Sequence, residues 1–389
     1  MYGTMADSTQ HYDYIFAGFG LSGMTLLHEL SKNGALEQKR ILILDQDQKN
    51  KNDRTWSFWS KGNLQFEFLA KKSWERFIFY DQFGKAISRK LANYKYYTIE
   101  GLSLYQYMLN MVNDLDQVHL HHEKILEVTP EGLVKTDQAA YSANKVFKSY
   151  FVKDNFPDTR DKLFIWQHFY GWFIKTTEDL FDESEFTIMD YRESQGAITN
   201  FFYILPFSKN EALIEFTEFS KTIYDEGFYK EQLKGYMQKY FDNISFDIIH
   251  REFNAIPMTN FRFKMVESAH VINIGTMAGY IKPSSGYGFS RTVRKNRKLA
   301  GLLKSGGEIT ESQLQQDKIF EVFDDTVLDL LSNQHLHGAL LYDRLFERIS
   351  PDVLFDFLDE KLPKTKLLKI MMVVPEKWKF IQAFFRNIT

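Results

Sequence analysis

Three glycines and one aspartate are the residues of this chain whose spacing most directly suggests chemistry. Gly18, Gly20 and Gly23 stand in the run Gly18-Phe19-Gly20-Leu21-Ser22-Gly23, and Asp45 follows them at the distance expected of a ribose-binding acid, roughly 20 residues on. The first glycine permits a tight turn, the second lets backbone approach a pyrophosphate, and the third allows a helix to pack closely on a strand. A helix beginning just beyond them would offer unpaired N–H groups and a partial positive charge to phosphate. The candidate dinucleotide-binding set is therefore Gly18, Phe19, Gly20, Gly23 and Asp45.

The surrounding elements must hold that geometry. Residues 12–17 read as a strand, and 21–33 carry Met24, Leu27 and Leu30 at helical spacing before Gly34. Residues 41–44, Ile-Leu-Ile-Leu, form a second apolar strand ending on Asp45, which completes a βαβ unit over 12–45. A late segment, Ile272-Asn273-Ile274-Gly275-Thr276-Met277-Ala278-Gly279, brings a strand into a second glycine-rich loop. Such a return suits the ribityl and phosphate part of a flavin dinucleotide, so FAD is the expected cofactor and Gly275, Ala278 and Gly279 join the set.

Between these signals, residues 62–100 read as short strands, 102–115 as a helix, and 118–120, 125–128 and 145–147 as strands of the first domain. Longer alternating strands follow at 172–175, 185–191, 200–205 and 212–217, with a helix at 225–240. The expected organisation is a first part of the FAD-binding domain at 12–163, a substrate domain at 164–262, a return to the first domain at 263–308 and a helical tail at 309–389. The fold class is α/β: a Rossmann-like FAD-binding fold with an inserted, mostly antiparallel sheet and a helical C-terminal region.

Composition narrows the chemistry. A net charge of -3 argues against bulk nucleic-acid binding, and the absence of cysteine excludes disulfides, thiolate nucleophiles and iron–sulfur ligation. No His/Asp cluster has metal-ligand spacing, so no metal is expected. With 36 Phe, 21 Tyr and 6 Trp, the chain could line a site for a long apolar or cationic guest, since ring faces attract positive charge. No apolar run reaches the roughly 18 residues of a spanning helix, and residues 1–11 lack signal-peptide features. A cytoplasmic protein, soluble or peripheral to a membrane, is expected.

Several motifs in order resemble the lycopene cyclase family, in its bacterial flavoprotein branch. They are Asp53-Arg-Thr-Trp-Ser-Phe-Trp59, Gln167-His-Phe-Tyr-Gly-Trp172, Thr187-Ile-Met-Asp-Tyr-Arg192, Phe202-Tyr-Ile-Leu-Pro-Phe-Ser208 and Leu213-Ile-Glu-Phe-Thr217. Ile256-Pro-Met-Thr259, Lys282-Pro-Ser-Ser-Gly-Tyr-Gly-Phe-Ser-Arg291 and the stretch near 341–360 continue the likeness over nearly the whole chain. Two positions depart from the usual pattern: Thr276 replaces an aspartate common in flavoproteins, and Lys148 stands where relatives usually have aspartate.

The resemblance implies a lycopene β-cyclase: a redox-neutral, acid-catalysed closure of the linear ends of lycopene to β-rings, giving β-carotene by way of γ-carotene. It implies non-covalent FAD acting in its reduced form, with NAD(P)H as flavin reductant. It assigns Glu215 as the acid, although strand periodicity alone would make Glu215 a solvated residue on a polar face. Trp56 and Trp59 are candidate substrate-pocket residues, with buried core rings as the alternative. His168 is a candidate proton shuttle, and Asp190 and Arg192 a candidate structural pair. Arg291, Arg294, Lys295, Arg297 and Lys298 could meet phosphate or membrane, or form a solvated helix face.

The tail sets Lys364, Lys366, Lys369, Lys377, Lys379 and Arg386 among Leu367, Leu368, Ile370, Met371, Met372, Trp378, Phe380, Phe384 and Phe385. That pattern suits contact with the inner face of a membrane, or a helix docked on the protein. The rival readings are another FAD-dependent isoprenoid or lipid oxidoreductase, a reductase or monooxygenase, and a flavoprotein without catalysis.

Overall fold

The order in which apolar segments recur along the chain determines how its layers assemble. The computed structural model describes residues 9–150, 159, 161–193, 196 and 198–388; the polar lead before residue 9 lies outside them. Strand β1 (Gln10–Ala17), helix α1 (Leu21–Lys32) and strand β2 (Ile41–Leu44) form the anticipated βαβ unit. All four residues of β2 are 0% exposed, as befits a parallel strand covered on both faces, and each such side chain stabilises the fold by about 2 kcal/mol.

Three strands, β3 (Thr55–Ser60), β4 (Lys72–Trp74) and β7 (Lys95–Glu100), form a small sheet in the order β3-β7-β4. Strands β5 (Arg76–Tyr80) and β6 (Ala86–Lys90) lie between them in sequence but join a different sheet. Helix α2 (Gly101–Asn113) leads to β8 (Val118–His121), β9 (Ile125–Val128), β10 (Leu133–Thr136) and β11 (Ala140–Lys148). Much later β17 (Val271–Asn273) returns to pair with β11, followed by a 3-10 turn at Gly275–Ala278 and helix α4 (Phe289–Ser305). The parallel strands run β8-β2-β1-β11-β17, with the β9–β10 hairpin on the other part of β11. Helices α1 and α4 cover one face together: Asn296 Nδ2 donates to Ser22 O at 2.8 Å and to Thr25 Oγ1 at 2.7 Å.

The second layer is a seven-stranded sheet in the order β16-β12-β15-β14-β13-β5-β6. Its strands are β12 (Phe164–Thr176), β13 (Phe186–Asp190), β14 (Thr199–Pro206), β15 (Glu211–Ser220) and β16 (Phe246–Thr259), and all pairings are antiparallel except β13 with β5. The linear reading put 76–90 with the first domain; the structure uses β5 and β6 to extend this sheet instead. Helix α3 (Glu226–Tyr240) begins at Asp225, whose side chain accepts from Phe228 N, and buries Tyr229, Leu233, Tyr236 and Met237 against one face of the sheet.

Helix α5 (Glu311–Leu314) packs Leu314 into the first-domain core, and the opposite face is closed by α6 (Lys318–Ser332), α7 (Gly338–Arg348), α8 (Pro351–Leu358), α9 (Lys364–Val373) and α10 (Lys377–Ile388). Phe323, Phe346, Phe355 and Phe380 from these helices share one core with Phe77, Phe173, Tyr203 and Leu213 from the strands. The tail therefore packs as part of the second layer, with one side of α9 and α10 left outward. Among the described residues, no helix is long and apolar enough to cross a membrane.

Candidate functional site

The glycine turn between β1 and α1 has the shape its sequence requires. Gly18 has φ +101°, where an L side chain is strained, and a Cβ there would stand 2.7 Å from Ser149 Oγ. A Cβ on Gly23 would stand 2.6 Å from Gly18 O, so this glycine lets the helix close onto the turn. Beside Gly20 there is open space out to 4 Å, and the helix it starts has no side-chain cap and no acid in its first turn. The free N–H groups of that turn therefore face a cradle that backbone alone lines, a good fit for a pyrophosphate. Phe19 contributes only backbone: its ring is buried, while its N–H donates to Asp45 Oδ2 at 2.6 Å. That bond fixes the Asp45 carboxylate at the end of β2, with Lys49 Nζ 3.3 Å away.

The late loop meets the cradle directly. Gly275 has φ +73°, and a Cβ there would stand 3.1 Å from Ser22 Cβ. Gly279, with φ +65°, ends the 3-10 turn, and Ala278 is buried in the first-domain core. Lys148, the departure at the end of β11, gives its charge to Glu267 at 2.8 Å. The donor set thus fits a dinucleotide, with Gly18, Gly20, Gly23, Asp45 and Gly275 as its frame.

The second half of the site lies on the inner face of the large sheet. Glu215 on β15 and Glu252 on β16 are both register partners of Gly171 on β12, one on each side. A Cβ on Gly171 would stand 2.7 Å from Leu213 Cδ1, 3.4 Å from Glu252 Cγ and 3.7 Å from Glu215 Cβ, so the glycine lets Leu213 pack down between the strands that carry the two carboxyl groups. Burial, then the nearby Glu252 charge, push the Glu215 carboxyl up to about 8, against a hydrogen bond from Thr217 Oγ1 at 2.8 Å that favours the ionised form. Burial likewise pushes Glu252 up to about 7. The Thr55 hydroxyl is near enough to favour the Glu252 carboxylate without aligning as a hydrogen bond, and Glu252 Oε2 has no partner.

Tyrosines complete the chamber. Tyr203, opposite Glu215 on β14, donates to Tyr96 of β7 at 2.5 Å, and burial raises both hydroxyls well above their usual range. Tyr287 faces the same carboxyl from the loop before α4, and burial pushes its hydroxyl up to about 12. This loop rides directly over β12: at Gly286, with φ +70°, a Cβ would collide with Gln167 Oε1. Lys282 and Ser284 anchor it to Asp324 of α6 at 2.8 and 2.6 Å in a buried network.

Trp59 is buried, stacked on Phe355 at 4.6 Å and edge-on to Tyr287 at 4.5 Å, and its Nε1 donates to Asp359. It lines an apolar cavity of about 40 Å³ with Tyr287, Tyr342 and Phe346. Trp56 stands nearer the cofactor side, against Tyr105 and Phe289. The two tryptophans thus lie at different depths.

His168 lies on the other face of β12, where Ser220 Oγ and Tyr229 OH each stand 2.8 Å from a ring nitrogen. Burial pushes it down to about 4, so it is a neutral structural histidine remote from Glu215. Asp190 and Arg192 are a buried pair at 2.5 Å, the guanidinium sandwiched between Tyr80 and Tyr240. In the basic helix Arg291, Arg294 and Arg297 are engaged by Glu360, Asp359 and Glu29 at 3.3, 3.0 and 3.0 Å. Lys295 is pushed down to about 8 by burial and Arg291, and Lys298 is exposed.

Glu252, Tyr96, Tyr203 and Tyr287 were missed in the sequence. The only available sign for Glu252 was a carboxylate at an alternate position of a long strand, which is the ordinary mark of a solvated residue.

The architecture recurs in known structures. A geranylgeranyl bacteriochlorophyll reductase-like protein from Thermoplasma acidophilum is 12% identical with a TM-score of 0.61, covering 97% of this chain and 100% of its own. The flavin-dependent brominase Bmp2 is 12% identical with a TM-score of 0.60, covering 97% and 98%. The p-nitrophenol 4-monooxygenase PnpA from Pseudomonas putida is 12% identical with a TM-score of 0.58, covering 96% and 99%. These likenesses establish the Rossmann-like flavoenzyme fold with its inserted sheet. No curated protein sequence matches. The family described as lycopene cyclase protein matches residues 13–384, nearly the whole chain, and the protein belongs to that lycopene cyclase family.

Proposed function

We propose that the protein is a lycopene β-cyclase that closes the linear ends of lycopene to β-rings without net oxidation. The observation that carries this reading is Glu215: a carboxyl pushed up to about 8, inside a ring-lined chamber, is about ten to one in its acid form at pH 7. Protonating an alkene needs an acid that is neutral until the substrate arrives, and burial supplies that state. Glu215 holds the proton on a carboxyl oxygen, and Thr217 steadies the carboxylate left behind. The faces of Tyr96, Tyr203, Tyr287 and Trp59 favour a carbocation over water, which would quench it.

The cofactor of this reading is FAD, held by the Gly18–Gly23 turn, Asp45 and the Gly275–Gly279 loop. When bound and reduced by NAD(P)H, it supplies negative charge close to the cation without being consumed. Exposed Leu368, Met372, Trp378 and Phe385, among the tail lysines, support contact with the cytoplasmic face of a lipid bilayer, where the substrate resides.

The test is expression in lycopene-accumulating bacterial cells followed by chromatography of the carotenoids. Conversion to β-carotene is expected, with Glu215→Gln abolishing it while flavin binding persists. Unchanged lycopene beside folded, flavin-loaded protein rejects the reading. Consumption of NAD(P)H in proportion to product would instead indicate a reductase or monooxygenase.

A further inference from the structure

Cyclisation adds a proton at one carbon and removes one from another, so a carboxylic acid alone is only half of the machinery. The inner sheet face carries a second carboxyl in mirror position. Gly171 is the axis: its register partners are Glu215 on one side and Glu252 on the other, and the place of its missing side chain is bordered by Leu213 Cδ1, Glu252 Cγ and Glu215 Cβ. Glu252 is buried, it is absent from every ion pair found among the described residues, and its Oε2 has no hydrogen-bond partner. A buried carboxyl oxygen without a partner is costly to fold around, and such atoms persist where they have work to do.

We propose that Glu252 is the proton acceptor of the reaction, paired with Glu215 as its donor. This rests on the cyclase reading of Glu215. In the step assigned to the pair, the O–H bond of Glu215 breaks and its proton forms a C–H bond at the terminal alkene carbon. The next alkene's electron pair closes the ring. The Glu252 carboxylate takes a proton from a ring carbon, and the freed electron pair becomes the ring double bond. Transfer of that proton from Glu252 back to Glu215 restores the resting pair, with no net gain or loss of protons or electrons.

The surroundings suit this division. Around Glu252 lie Thr55, Arg54, Asp53 and Glu100, and His250 stands two residues before it on the same strand, opposite Phe173. Arg54 is held by Asp53 at 2.6 Å, and Glu100 by Lys71 at 2.6 Å, so neither cation reaches Glu252 as a partner. Around Glu215 the neighbouring groups are Glu252, Thr217 and the hydroxyls of Tyr203 and Tyr287, none of them cationic. Thr55 and Arg54 favour the Glu252 carboxylate against Asp53 and Glu100, whereas only Thr217 favours that of Glu215, so Glu252 is the one that more readily rests as carboxylate while Glu215 keeps the proton.

Two measurements test the pair. In the first, infrared difference spectra of the flavin-loaded protein are followed against pH without substrate. A neutral carboxylic acid band is expected at pH 7, clearly weakened in Glu215→Gln, and in Glu252→Gln the remaining band is expected to titrate at lower pH, because a like charge is gone. In the second, ring isomers are resolved by chromatography. Glu252→Gln is expected to lower β-ring formation roughly 10²–10⁴-fold, the range for a lost acid–base group, and to raise the share of rings formed by losing a different proton.

The acid limb of the pH profile should vanish with it, and Glu252→Asp should restore part of the β-ring share. A merely structural role would lower all products together. Wild-type rate and isomer ratio in Glu252→Gln, or an unshifted band, overturns the proposal. If the glutamine variant fails to fold, the aspartate variant is read by the same band and ratio, and wild-type values in both overturn it equally. Failure of the wild type to cyclise lycopene would sink the cyclase reading, while the infrared titration still decides the pair.

Discussion

Replacing Glu215 by glutamine should make the protein more stable as it makes it inactive, and increasingly so as pH rises. In the unfolded chain this carboxyl titrates at its ordinary value of 4.5, and in the fold at about 8. Between those values the folded state holds a proton that the unfolded state has released, so wild-type stability falls with rising pH by about 1.4 kcal/mol per unit. The contribution is fully present below the unfolded value and lost as pH passes the folded one. Integrated across the window, and discounted for relaxation, the loss is about 3–5 kcal/mol at pH 8. Glutamine keeps the shape and the Thr217 contact but has no proton to release.

At about 2 cal/mol/K of unfolding entropy per residue, that difference corresponds to a Tm gain of about 4–6 °C at pH 8, shrinking toward zero near pH 5. Melting curves of both proteins from pH 5 to 9 provide the assay. An equal or lower Tm for the variant at pH 8, with the same pH slope as wild type, refutes the burial argument for an acid held neutral.

Gly171→Ala should displace Leu213 beside the two carboxyls: its Cβ would stand 2.7 Å from Leu213 Cδ1, so overpacking costs about 1–3 kcal/mol and cyclisation falls at least 10-fold, read by product assay and melting. Asp45→Ala should weaken flavin binding while leaving the chamber intact, with dissociation measured by fluorescence titration; unchanged affinity removes Asp45 from the ribose site. Replacing Trp378 and Phe385, 70% and 63% exposed, by serine should reduce binding to anionic lipid vesicles in flotation without lowering Tm.

What could be read in advance follows from how far apart the determining contacts lie in the chain. The βαβ unit was legible because its periodicities, turn glycines and acid are all local. Glu215 was legible only through the family resemblance, since its alternation on β15 is that of any half-buried strand. Burial of Glu252 depends on lying opposite a glycine on another strand, information that no window around Glu252 contains. Strands β5 and β6 were assigned by neighbourhood in sequence, yet β5 pairs in parallel with β13 across a long connection. Tyr287 sits in a motif that reads as a loop, and contacts distant in sequence, such as Lys282 with Asp324 and Tyr342 with Ser284 O, hold that loop against the sheet.

The inner face of the large sheet is covered by helices that follow every one of its strands in sequence. A ribosome therefore releases the cofactor cradle and the entire sheet before any of that cover has been made. During this interval the aromatic underside, with both carboxyls, is open to whatever apolar surface is at hand. Water-exposed carboxyls would ionise at ordinary acidity, so the nascent sheet carries a charge that the finished protein must give up as α6 to α10 dock. Closure of these helices is thus also a protonation event, and slow translation of the codons for α6 to α10 would prolong the period in which the chain is most prone to aggregate.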